Sequence, residues 1–101
     1  NLPWCAGFIS YCLKKAGYNL PYFLKAKSYL KIGRRIDRHN LRIGDLVIFS
    51  RKGCSHIGII ERIVNNGFTS IEGNVGEYPA KVKRVNRVFK DKNILGFVRI
   101  K

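Results

Sequence analysis

Acidic residues are what this sequence most lacks. Six Asp and Glu stand against twenty Lys and Arg in 101 residues, for a formal charge of +14. Such a balance attracts polyanions, whether nucleic acid, anionic lipid surfaces or anionic cell-wall polymers, and does not say which. Long apolar runs are missing as well. None approaches the roughly 18 residues of a membrane span, and the longest, such as ILGFV, are strand-sized. No charged segment followed by an apolar core opens the chain, so no signal peptide is visible. There is no internal repeat and no low-complexity linker. Cysteines number three, at Cys5, Cys12 and Cys54, an odd count that suits no disulfide framework. Were Cys5 and Cys12 on one helix, their separation would amount to about 10 Å of rise. That exceeds the roughly 7 Å between Cα atoms that a disulfide tolerates. Structural zinc sites use closely spaced ligand pairs, and only one, Cys54 with His56, is present. We therefore expect a thiol protein with no metal and no cofactor.

What remains is rich enough to fold. Hydrophobic residues make up 46% and aromatics 12%, too much for a disordered chain. The length supports one small core, so residues 1–101 are read as a single domain. Its first motif begins almost at once, which suggests a domain cut from a longer protein.

Apolar groups at Cys5, Phe8, Ile9, Cys12, Leu13 and Ala16 recur at helical spacing. Pro3 suits the entrance and Gly17 the stop, while Lys14 and Lys15 complement the dipole in the last turn. A second helix is predicted from near Pro21, with Tyr22, Phe23, Ala26, Tyr29 and Leu30 on its apolar face and Gly33 closing it. RRIDRHN reads as a polar, basic connection. Strand patterns follow. RIGDLVIFS holds a turn and a short apolar run, and HIGIIERIV and FTSIEGNV form a hairpin around NNG. KVKRVNRVF has a mixed period that suggests a bulge, and ILGFVRI closes the chain. Helices first and strands after give an α+β fold, with N-terminal helices packed on a largely antiparallel β-sheet.

The candidate chemistry centres on Cys5. In the first turn of a helix, unpaired N–H groups and the positive dipole end stabilise a thiolate. The same N–H groups can receive an oxyanion. On helix geometry alone, a buried core thiol is the plainer reading. His56 alters the balance, because it begins a strand just after the loop RKGCS, where a side chain can reach a cleft. Glu72 and Asn74 alternate onto one face of the return strand. An odd-length turn around NNG would put His56 on that face, with Asn74 near it and Glu72 one pair further along. Cys5 is then the nucleophile, His56 the base, and Glu72 or Asn74 the group that holds the imidazole.

The words that carry these residues are PWCAGFISYCLKKAG, LRIGDLVIF, SHIGIIE and SIEGNVG. In order and spacing they resemble the CHAP family of cysteine amidases and peptidases. The resemblance runs from Pro3 to about Gly76 and more weakly to GFVRI. It implies a papain-like fold and hydrolysis of an amide bond in peptidoglycan, either the muramoyl–alanine amide or one in the stem peptide or cross-bridge. The family's working cysteine, histidine, glutamate and asparagine fall here on Cys5, His56, Glu72 and Asn74. Action at the bacterial cell wall is implied too, by a secreted, phage-delivered or virion-associated protein. Two departures stand out. Only four residues precede Cys5, so an upstream oxyanion donor is either the Asn1 region or not in this chain. No acidic residue precedes Asp37, so the calcium site of some members is not expected.

Other residues have plainer readings. Cys12 is core, Asp45 is a turn residue, and Trp4 is either a core anchor or part of a substrate wall. His39 in DRHN is solvated, and becomes a third member beside His56 only if its loop folds over the cleft. The basic surface suits adhesion to anionic wall polymers. An acidic inhibitor protein would suit it if the domain were an antibacterial effector. The rival is a non-catalytic basic module that binds nucleic acid or wall polymer through KAKSYLKIGRRIDR and KVKRVNRVFK. Tyr22, Phe23 and Tyr29 fall on a helical stripe and read as core rather than a base-stacking platform, which disfavours nucleic acid.

Overall fold

The computed structural model describes residues 29–51, 54–73 and 82–100, together with Lys15 and Gly17. The helix expected over 5–16 and most of the one expected from Pro21 lie outside the described residues. Within them, strands make up 62% and helical turns 11%. The predicted α+β fold therefore gives way to a nearly all-antiparallel sheet. Its helical part is one short helix, α1 (Tyr29–Ile32), and a 3-10 turn at Arg38–Asn40. The β-branched and aromatic residues that fill the rest favour extended backbone.

The strands are β1 (Arg34–Ile36), β2 (Leu46–Arg51), β3 (Cys54–Val64), β4 (Gly67–Gly73), β5 (Val82–Val88) and β6 (Ile94–Arg99). They lie in the order β1-β6-β2-β3-β4-β5, each pair antiparallel. β1 arises from RRIDRHN, the stretch expected to be a connection. Three residues are too few to display alternation, and β1 holds its edge by pairing with β6 alone.

Both faces of the sheet bury apolar side chains. On one, Leu46, Ile48, Ile57 and Val98 pack with Tyr29 of α1. On the other, Val47, Phe49, Ile60, Phe68 and Phe97 pack with Leu41. Residues 46–49 of β2 thus alternate between two cores, which is why LVIF is apolar without interruption. Each fully buried aliphatic side chain here contributes about 1.5–3 kcal/mol.

The second face is the inside of a curl. Phe68 on β4 and Phe97 on β6 meet edge-on with ring centroids 5.6 Å apart, although β3 and β2 run between them. A flat sheet would hold those strands about 14 Å apart. Two register shifts accompany the bend, one opposite Ile48 and Phe49 that leaves Leu95 unpaired in β6, the other at Glu61 in β3. The bulge suggested for KVKRVNRVF is not among them, since β5 pairs with β4 in a single register from Val82 to Val88.

Candidate active site

The β3–β4 hairpin sets the site through parity. Val64 pairs with Gly67, so the turn is the two residues Asn65 and Asn66. An even turn alone would place Glu72 opposite Ile59, on the face away from His56. The extra residue Glu61 shifts the ladder by one, and Glu72 pairs instead with Gly58, which shares its face with His56. The odd step expected of the turn comes from the bulge. Arg84 of β5 secures it, with Nη2 donating to Glu61 Oε2 at 2.8 Å and Nε donating to Oε1.

Glycine at 58 clears the path between the two groups. A Cβ there would lie 2.8 Å from Glu72 Cγ and 3.2 Å from Ser70 Cβ. Across this gap His56 Nε2 comes within 2.5 Å of Glu72 Oε1. His56 is 1% exposed and Glu72 3%. Ser70 Oγ donates to Glu72 Oε2. Arg87 of β5 donates from Nε to Oε2 at 3.0 Å and from Nη2 to Oε1 at 2.6 Å.

These donors decide the protonation state. Burial pushes the Glu72 carboxyl up, but the hydrogen bonds from His56, Arg87 and Ser70 outweigh it and the Arg87 charge adds to them. The group is held at about 2 against an ordinary 4.5. An ionised carboxylate has no proton to give, so His56 donates from Nε2. In the neutral imidazole, Nδ1 is then the acceptor. That nitrogen is buried and has no hydrogen-bond partner among the described residues. Phe49 flanks the ring, with centroids 5.8 Å apart and planes 31° from parallel.

Of the residues singled out in the sequence, His56 and Glu72 are brought together. Cys5, Asn74, Trp4 and Cys12 lie outside the described residues. His39 is exposed in the 3-10 turn. Asp45 is more than a turn residue. It is 3% exposed, takes the Arg42 N–H at 2.8 Å, and is gripped by Arg99 through Nε and Nη2, each at 2.8 Å. Arg87 and Ser70 were missed. Both carry a signal in strand alternation: Ser70 is two residues before Glu72, and Arg87 is on the β5 face that opposes Phe68, Ser70 and Glu72. Among the described residues, no helix is long and apolar enough to cross a membrane.

Set against models of known families, residues 1–74 match that of the CHAP domain. The matched segment includes His56 and Glu72 and ends before β5. No curated protein matches the chain.

Proposed function

This chain belongs to the CHAP domain family, whose members are generally cysteine- and histidine-dependent hydrolases of peptidoglycan, and on that premise we propose that it cuts a wall amide with Cys5 as nucleophile and His56 as base. One observation carries the reading. A buried imidazole commits Nε2 to an ionised glutamate and leaves Nδ1 without a partner among the described residues. A buried polar atom left unpaired is costly, so an orphan of this kind calls for a chemical role.

The steps follow from those two nitrogens. His56 Nδ1 takes the proton of the Cys5 thiol, and the thiolate sulfur attacks the amide carbonyl carbon. Glu72 holds the imidazolium in place. Nδ1–H then protonates the amide nitrogen as the C–N bond breaks, and the amine leaves a thioester on Cys5. Water gives a proton to Nδ1 and attacks the thioester. The C–S bond breaks, the proton returns to sulfur, and a carboxylic acid departs. Asn74 supports the site and Trp4 borders the substrate in this scheme. The substrate is the muramoyl–alanine amide or an amide of the stem peptide or cross-bridge.

The charge suits this setting. Asp45, Glu61 and Glu72 are already paired with Arg99, Arg84 and Arg87. Arg34, Arg42, Arg62 and Lys92 are exposed and favour adhesion to anionic wall polymers.

The test compares the parent with Cys5→Ala on purified peptidoglycan, following turbidity and newly released amino and carboxyl termini. The parent clears the walls and the variant does not, and the termini identify the amide. Equal clearing by both proteins removes Cys5 from the chemistry.

A further inference from the structure

Arg87 lies on β5, beyond the segment matched to the family, yet it reaches the carboxylate of the site. Its two nitrogens grip both oxygens of Glu72. Its guanidinium carbon stands 4.6 Å from the centroid of Phe49, the ring that flanks His56. A bidentate fork fixes the plane of a carboxylate, whereas a single donor leaves it free to turn. We infer that Arg87 is a positioning residue, which fixes the Glu72 carboxylate so that one oxygen faces His56 Nε2 and Nδ1 is left to the reaction. The inference rests on the reading of His56 as the base.

Charge balance gives the same answer. A thiolate, an imidazolium and the Glu72 carboxylate would together leave one net negative charge in a buried site. The guanidinium brings the sum to zero, which reduces the cost of burial. Among the described residues, no other arginine or lysine grips Glu72. His56 faces it from β3 and Ser70 from its own strand. Lys83 stands opposite it in register on β5 and is exposed, and β2 contributes the neutral Phe49.

The experiment uses the whole chain as Arg87→Gln and Arg87→Lys. The Glu72 carboxyl carbon and both His56 ring nitrogens are followed by NMR against pH, without substrate. Neither change removes core, because the Arg87 side chain is 24% exposed and its backbone pairs with Phe68. In Arg87→Gln the Glu72 midpoint rises by about one unit or more, a tenfold gain in proton affinity. The ring nitrogens lose the shift pattern of an imidazole whose Nε2–H is committed to the carboxylate. Arg87→Lys restores the charge without the fork, so it recovers most of the carboxyl midpoint but not the ring pattern. A Gln variant whose midpoint and ring shifts coincide with the parent's overturns the inference. So does a Lys variant that regains the parent's ring pattern without the fork. These resonances are read apart from hydrolysis. If Cys5→Ala clears walls while they shift as expected, the catalytic reading fails and the Arg87 clamp stands.

Discussion

Two carboxylates of this domain, Asp45 and Glu72, are buried to the same degree, at 3% exposure. Each is gripped by two nitrogens of an arginine from the neighbouring strand, Arg99 for Asp45 and Arg87 for Glu72. They differ in what else they hold. Asp45 takes the Arg42 N–H and closes the turn into β2, where Gly44 adopts a φ of 97°. Its own backbone locks the turn to β3, with its carbonyl oxygen accepting the Ile60 N–H at 2.8 Å. Glu72 takes a hydroxyl and an imidazole. Burial and an arginine clamp therefore do not mark a reactive site. On the proposed reading the added partner does, as a titratable ring with one nitrogen uncommitted among the described residues.

That contrast separates first in activity. Glu72→Gln cuts wall clearing per folded molecule by about 100-fold, because an amide cannot stabilise the imidazolium. Asp45→Asn, brought to the same folded content by circular dichroism, clears at the parent's rate. Equal losses from both changes would erase the distinction between the two carboxylates.

Acid stability separates next. Glu72 sits at about 2 when folded against an ordinary 4.5, so its ionised form stabilises the fold fully above pH 4.5. That contribution is lost as pH falls through about 2, and the shift corresponds to about 3 kcal/mol. Urea midpoints of the parent should fall across this window, and those of Glu72→Gln should fall less. Parallel curves would mean that Glu72 gains nothing on folding.

The smallest effect comes from crowding only one of the pair. Gly58→Ala sets a Cβ 2.8 Å from Glu72 Cγ and leaves Asp45 untouched. Overpacking of this kind costs about 1–3 kcal/mol, and clearing should fall about tenfold as Glu72 is displaced. Urea melts and turbidity on the same sample check both. A variant that clears like its parent shows that the Glu72 contact with His56 does not need the space.

The two residues that meet were legible because alternation and short motifs place them: His56 near a strand start, though as the third residue of β3 and not its first, and Glu72 on one face of its return. The device that aligns them was not. Nothing in HIGIIERIV marks Glu61 as the extra residue, since a bulge shows in the ladder between strands rather than in composition. The parity change that sequence reasoning assigns to the turn is made by the bulge. Arg87 was hidden by distance along the chain and by the mixed period of its strand, which is an edge strand with one exposed face. Helical spacing near the N-terminus weighted the fold towards α+β, while the described residues owe their stability to a curled sheet with two cores. β1 was invisible because it is short and its arginines lie at an edge.

Removing the imidazole itself puts the reading of the site at greatest risk. Wall clearing by His56→Ala, at folded content equal to the parent's, should fall by about 100- to 10,000-fold, and added imidazole should restore part of it. A His56→Ala protein that clears walls at the parent's rate would contradict the assignment of the buried His56–Glu72 pair as the catalytic base and its support.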